Sequence, residues 1–482
     1  MDLVVRTEHG AVRGVADGEL SVFKGIPYAA PLDGPRRFQA PQPPEPWDGV
    51  RDASGFSAAV PQPVLLPGIP AAWKPGDGTD SLTLNVWTPD RGGGLPVLVW
   101  IHGGAYLGGT SGEYDPTRLA QAGVVVVTVN YRVGYEGFGR VQDAPANRGI
   151  LDQLAALRWV QNNIAAFGGD SGNVTIFGES AGATSVVTLA AGSAGKGLFR
   201  RGIAQSVGAL FCDEDEFGKV SDLVVGRLGI PATAEALAEV PPEAIHTAQA
   251  AAMAEMNENR AAWTNSTAYA VVFDGEVLDD LPWVMLRGGS GAGVDLICGY
   301  NTDEATMFTA DLPAAAKDPA LLARGLRLDP SAVDQYRAGY PGAGDAELYT
   351  LMLSDKLFRM PALWCAETHA RAGGRSYLYE FAWRTPLNGG AFGACHGLDL
   401  PFTFGVAEDA LRQMFGEEMP ADFEVLSAEL RESWISFATT GDPGWPTYSD
   451  ADRRARIWNV PSSVADDPIK VSREIWQHRF SG

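Results

Sequence analysis

The segment Gly178-Glu179-Ser180-Ala181-Gly182 follows the apolar run Val174–Phe177 directly and leads into an Ala/Val-rich stretch. A serine between two glycines at a strand-to-helix junction fits a nucleophile elbow. The tight turn strains the serine backbone, the glycines let neighbouring segments approach, and the helix N-terminus adds partial positive charge where an oxyanion would form. The competing reading is a Gly-rich helix start with a capping serine; the strand–turn–helix context favours the elbow. A second motif, His102-Gly103-Gly104-Ala105, ends the run Leu95–Ile101. Consecutive small residues expose backbone N–H groups that can aim at a developing alkoxide, or they make an ordinary turn. In this chain order with the elbow, the oxyanion reading is favoured.

A serine nucleophile needs a base, and the chain has six histidines. His9 lies in a hairpin-like segment, His102 belongs to the Gly loop, and His246, His369 and His478 sit in polar, helical or terminal surroundings. His396 stands in Ala394-Cys395-His396-Gly397-Leu398-Asp399, a loop after Gly-rich sequence of the kind that follows late strands. Elimination favours His396.

The elements around these motifs alternate. Leu95–Ile101 and Val124–Tyr131 are short and almost continuously apolar, as strands buried on both faces of a parallel sheet are. Tyr114–Ala122 between them reads as helical. Leu151, Leu154, Leu157, Val160, Ile164 and Phe167 recur at helical spacing, and Gly168-Gly169 stops them. Further strands are expected at Val174–Phe177, Val294–Cys298 and Tyr377–Trp383, and a long helix at Phe423–Ala438. Pro41–Gly78 reads as irregular loop, and Asp213–Asn265 as polar, Ala-rich helices inserted over one end of the sheet. Strand–helix alternation implies an α/β protein with a mostly parallel sheet.

Composition narrows the function classes. With 37 basic and 59 acidic side chains the formal charge is −22, which disfavours nucleic-acid binding and adhesion to anionic lipid. A 45% hydrophobic share suits a large buried core, and 57 glycines with 32 prolines fall short of the quarter or more that marks low-complexity sequence. Length alone suggests roughly three domains. No internal repeat or linker appears, so residues 1–482 read as one domain with insertions. Cys212, Cys298, Cys365 and Cys395 show no CxxC pairing. Met1–Val15 has no apolar core behind a basic start, and no run of 18 or more apolar residues occurs. A soluble cytoplasmic protein with free thiols is expected, with neither signal peptide nor membrane span.

Taken together, the motifs resemble the type-B carboxylesterases, the cholinesterase-like branch of the α/β-hydrolase fold, along nearly the whole chain. Phe23-Lys24-Gly25-Ile26-Pro27-Tyr28-Ala29 is similar to the family's opening motif, with Arg37-Phe38 after it. Leu82–Trp87, the His102–Ala105 loop, Asn130–Gly134 and the run Asn147–Gly182 follow. Gly299-Tyr300-Asn301-Thr302-Asp303-Glu304 resembles the segment that carries the family's catalytic acid, and His396-Gly397 with Asp399–Gly405 its histidine motif. Composition alone leaves Glu304 readable as a solvated acid beside Asp303.

The resemblance implies Ser180 as nucleophile, His396 as general base and Glu304 as orienting acid, in the order Ser…Glu…His expected on this fold. It implies oxyanion donors at the backbone N–H groups of Gly104, Ala105 and Ala181, and a large, mostly parallel central sheet with helices on both faces and insertions over the active-site end. The implied reaction is hydrolysis of carboxylic esters through an acyl-enzyme, with no metal or cofactor. The partner expected is a small neutral or cationic ester, with no nucleic acid and no membrane. Alternatives are amide or carbamate cleavage by the same triad, or a non-catalytic binding module. The chain also departs from the family. Val60 and Ser81 stand where extracellular members carry a disulfide, and Ala105, Val207 and Ala305 replace usual glycines. Thr79 replaces the acid that pairs with the arginine matching Arg37, which leaves that salt bridge in question. Arg132 and Asp152 match a buried family ion pair. Trp73, Tyr106, Trp283 and Phe308 are candidates for a substrate gorge or for core.

Overall fold

The β-branched runs form the strands that the site depends on. The computed structural model describes residues 3–64, 71–258, 268–406, 412–416 and 418–479. Residues 1–2 of the opening segment, 65–70 of the expected Pro41–Gly78 loop and 259–265 of the expected Asp213–Asn265 helices lie outside them. The backbone gathers into two compact units. One comprises Met1–Gly202, Leu210–Leu281 and Ala438–Thr440; the other comprises Ile203–Ala209, Pro282–Phe437 and Gly441–Gly482.

In the first unit the strands of the large sheet include β1 (Val15–Asp17), β2 (Leu20–Pro27), β3 (Thr83–Thr88), β4 (Leu95–Ile101), β5 (Val125–Val129) and β6 (Gly169–Glu179). Their spatial order is β6-β4-β5-β3-β2-β1. The first three are mutually parallel, and the rest continue antiparallel. All five residues of β5 are buried, as are the last five of β4, which is why neither run alternates polar with apolar. Register pairs Ile101 with Val129 on one side and with Gly178 on the other, so β4 and β6 end level with each other.

Helix α1 (Arg148–Asn163) and the 3₁₀ turn Ile164–Phe167 bury the apolar stripe read from the sequence except Leu151, which is only partly covered. Gly168, at φ 86°, terminates them in the left-handed conformation that glycine adopts without strain. The segment expected to be helical over Tyr114–Ala122 is helical only at Thr117–Gln121, because Pro116 can begin a helix but not continue one. Helix α2 (Ala181–Ala191), directly after β6, is buried on every residue, so it carries no charged face, and its polar side chains are the small hydroxyls of Thr184, Ser185 and Thr188. Between Asp213 and Glu258 lie α3 (Glu214–Leu228), α4 (Ala234–Ala238) and α5 (Pro242–Glu258), the inserted helices the composition predicts.

In the second unit β7 (Asp295–Asn301), β8 (Ser376–Phe381) and β9 (Arg454–Trp458) run parallel, and β10 (Ser463–Asp466) returns antiparallel at the edge. Helix α6 (Met360–Arg371) packs on β7 and β8. The predicted long helix is α7 (Phe423–Thr440), closed by Gly441 at φ 82°. Trp434, Trp445 and Trp458 pack ring to ring with centroids 5.7–6.3 Å apart, a large buried apolar mass behind the strand ends.

Candidate active site

The elbow is built by steric demand. Ser180 sits at φ 57°, ψ −119°, a backbone region that non-glycine residues rarely occupy. Its side chain makes no capping hydrogen bond to α2, which removes the capping-serine reading. A Cβ on Gly178 would lie 2.6 Å from the Gly182 carbonyl carbon and 2.7 Å from the Ile101 oxygen; one on Gly182 would run into the same Ile101 carbonyl. Strand, turn and helix therefore approach at a distance only glycine permits. Ala181 is the first residue of α2, so its N–H belongs to the helix's unsatisfied donors.

The His102–Ala105 loop lies against this elbow. A Cβ on Gly103 would sit 2.8 Å from the Glu179 carbonyl oxygen and 3.2 Å from the Ser180 Cβ. Three successive residues, Gly104, Ala105 and Tyr106, have positive φ of 108°, 55° and 57°. The turn closes through N–H groups of Leu107 and Gly108 donating to the Gly104 carbonyl, bonds that use neither the Gly104 nor the Ala105 N–H. Two aromatic side chains anchor the loop. The Tyr131 hydroxyl donates to the His102 carbonyl at 2.6 Å, and its ring stacks on the His102 imidazole at 4.2 Å. The Tyr106 hydroxyl meets Ser185 Oγ of α2 at 3.0 Å. Tyr106 is fully buried and serves as core rather than gorge wall.

Glu304 and His396 belong to the second unit, and there the two meet. His396 Nδ1 lies 2.7 Å from Glu304 Oε2, while Glu304 Oε1 accepts the Asn301 backbone N–H at 2.8 Å. Glu304 has no exposed surface. The adjacent acid is the solvated one: Asp303 accepts from Arg384 at 2.8 Å and from the Ala394 N–H at 2.9 Å. That contrast settles which of the two neighbouring acids faces the imidazole. Asn301 Nδ2 donates to the Cys395 carbonyl at 2.7 Å, tying the end of β7 to the histidine loop. Asp399 is buried and accepts from Gln205 at 2.8 Å and Tyr379 at 3.1 Å; burial pushes its carboxyl above the usual range, and the nearby Glu304 charge adds to the rise.

Phe358 is a neighbour that sequence reading missed. It stacks on the His396 ring at 4.2 Å, and half-exposed Phe308 stands 5.4 Å away. Phe358 lies in a π-helical turn, Asp355–Arg359, pinned by the buried Arg359–Asp355 pair at 3.1 Å. The other histidines have their own settings. Burial lowers His102 to about 4 and, with the Arg37 charge, His246 to about 4. His369 is held by Ser376 Oγ at 2.6 Å and the Gly291 carbonyl at 3.1 Å.

Two ion pairs frame the first unit. Arg132 donates to Asp152 at 2.8 and 2.6 Å, both side chains fully buried, as the resemblance implies. Arg37 is not left unpaired by Thr79: Glu136 takes the missing acid's place, accepting from Arg37 Nε at 2.8 Å. Thr79 bonds Asp33 instead, at 2.6 Å. Trp73 is buried against His246, and Trp283 against Trp364.

Comparison with known proteins identifies the family. The model of the Carboxylesterase family matches residues 1–461. Para-nitrobenzyl esterase of Bacillus subtilis is 33% identical over 492 residues, covering 98% of each chain. Phenmedipham hydrolase of Pseudarthrobacter oxydans is 32% identical over 98% of this chain and 97% of its own. The crystal structure of Geobacillus stearothermophilus carboxylesterase EST55 at pH 6.2 superposes with a TM-score of 0.87 at 36% identity, covering 98% of this chain and all of that one. The chain belongs to the carboxylesterase family: it is a carboxylic ester hydrolase with the α/β-hydrolase fold.

Proposed function

We propose that the hydrolysis runs through an acyl-enzyme on Ser180. Ser180 Oγ attacks the ester carbonyl while His396 Nε2 takes its proton. The N–H groups of Gly104, Ala105 and Ala181 stabilise the tetrahedral oxyanion. The intermediate collapses, the C–O bond to the alcohol breaks, and His396 returns the proton to the leaving alkoxide. Water then attacks the acyl-serine with His396 again accepting a proton, which it returns to Ser180 Oγ as the C–O bond to serine breaks and the carboxylic acid departs. Glu304 holds the imidazole in the Nδ1–H tautomer and stabilises its charged form.

The observation that carries this reading is the 2.7 Å Glu304–His396 bond made by a carboxylate with no exposed surface. The strained backbone of Ser180 supports it. A cytoplasmic setting is part of the proposal, in keeping with four buried cysteines that are all free thiols.

A fluorophosphonate probe, followed by digestion and mass spectrometry, tests the assignment. It should label Ser180 stoichiometrically and abolish turnover of a nitrophenyl ester. An adduct at another residue, or a folded Ser180→Ala variant with full activity, overturns it. Alcohol release from esters, compared with arylamine release from matched anilides, tests the ester preference in the same assay.

A further inference from the structure

The backbone that would supply two of the oxyanion donors is strained. Gly104, Ala105 and Tyr106 all have positive φ, which is unfavourable for an alanine or a tyrosine, so the conformation persists only where its surroundings impose it. The chain then doubles back on itself. A Cβ on Gly104 would lie 2.1 Å from the Gly108 oxygen, and one on Gly109 would lie 2.5 Å from His102 Nδ1 and 2.6 Å from the Gly103 oxygen. Gly108 and Gly109 are therefore the backing on which the donor-bearing residues rest. In a close-packed interior a shift of Gly109 passes to Gly103 and Gly104 by direct contact.

Gln62 fixes that backing. Its Oε1 accepts the Gly109 N–H at 2.7 Å, and its Nε2 donates to the Gly109 carbonyl at 3.0 Å and to the Val60 carbonyl at 3.2 Å. The side chain is buried, so water does not compete for these bonds. Both backbone polar groups of Gly109 are thus held by one side chain from 47 positions away. The stretch 61–81 contains no cysteine, and one tie at its far end is the exposed Thr79–Asp33 bond at 2.6 Å. We propose that Gln62 is a positioning residue for ester hydrolysis: by clasping Gly109 it sets the aim of the Gly104 and Ala105 N–H groups at the oxyanion. Gln62 has this role only if the acyl-enzyme reading above holds.

Gln62→Met keeps the length of the side chain and removes both bonds to Gly109. With a nitrophenyl ester its kcat should fall about tenfold to a hundredfold while KM stays within about twofold, because a misaimed donor weakens only the transition state. Affinity for a trifluoromethyl ketone, whose adduct on Ser180 carries an oxyanion, should fall by the same factor, and affinity for the matching methyl ketone should not change. Thr79→Val cuts the loop's other tie without touching Gly109 and should leave kcat, KM and both affinities at the parent values. Gln62→Glu retains an acceptor for the Gly109 N–H; it should show the same split at smaller size, and it carries the test where Gln62→Met does not fold. Parent kcat and parent ketone selectivity in a folded Gln62 variant overturn the proposal. So does a loss confined to KM, and so does an equal loss in Thr79→Val, which would make Gln62 a fastener of the loop alone. A parent enzyme that binds both ketones alike overturns the acyl-enzyme reading itself, and the role of Gln62 with it.

Discussion

Glu304 holds His396 with one carboxylate oxygen and the backbone of Asn301 with the other, at 2.7 and 2.8 Å. A carboxylate fastened at both oxygens cannot rotate away from the imidazole. The partner at Nδ1 fixes that nitrogen as the donor, which leaves the Nε2 lone pair available to accept a proton. Phe358 stacked on the ring limits its remaining freedom.

Glu304→Gln therefore separates geometry from charge. The amide can still accept from Asn301, but its NH₂ then faces Nδ1 and favours the tautomer protonated at Nε2, which cannot serve as base. Activity toward a nitrophenyl ester should fall on the order of 10⁴-fold with little change in unfolding midpoint. A folded Glu304→Gln enzyme within about tenfold of the parent would remove Glu304 from the mechanism.

How much of this was legible in the sequence depends on where each constraint is written. The elbow was legible because its steric demand falls on Gly178 and Gly182, each two positions from the serine. The strands were legible because burial on both faces leaves Val125–Val129 valine at every position but Thr128. Phe358 was not, because a π-helical turn shifts the helical phase and no periodicity points its ring at His396. Tyr106 was readable as gorge or as core, and its positive φ places it in the core against Ser185. The Arg37–Glu136 pair was hidden because its acid lies 99 positions away rather than at position 79.

The Arg132–Asp152 pair carries a stability prediction. Asp152 accepts from Arg132 three times, through the side chain at 2.8 and 2.6 Å and the backbone N–H at 3.0 Å. Neutralising one partner of a fully buried pair strands the other charge, at a cost of about 3–5 kcal/mol. Urea unfolding of Asp152→Asn should show a loss of that size. A loss under about 1 kcal/mol would mean that the pair is solvated in solution.

His102 sets a pH dependence of stability. Burial lowers its folded value from 6.5 to about 4, only partly offset by its bond to the Gly103 carbonyl. Between those limits the unfolded chain binds a proton that the folded chain refuses, so stability rises with pH across the window. The contribution is complete above about pH 6.5 and is lost progressively as pH falls toward about 4, by up to roughly 3 kcal/mol. His246 titrates over the same window, so the parent slope contains both groups. His102→Gln should flatten the decline between about pH 7 and 5 in urea unfolding, and an unchanged slope would show that His102 protonates normally in the folded protein.

The net charge of the chain suggests a substrate preference that does not depend on the proposed catalytic residues. The chain carries −22, and among the described residues Arg384 is bound to Asp303 and Arg132 to Asp152, while Glu179 is buried next to Ser180. We propose that neutral and cationic esters are preferred over anionic ones of the same shape. An anionic ester must approach against this field, which slows encounter most at low ionic strength. Salt should reduce the penalty, because the Debye length shrinks to about 10 Å at 0.1 M. The rival is an arginine from another loop that captures a substrate carboxylate, which would reverse the preference. A symmetric diester and its half-ester, each normalised to its alkaline hydrolysis rate, separate the two at low and high salt. Higher kcat/KM for the diester, with a gap that narrows as salt is added, is the expected result. A half-ester preference at low salt, or a gap indifferent to salt, sinks the electrostatic account.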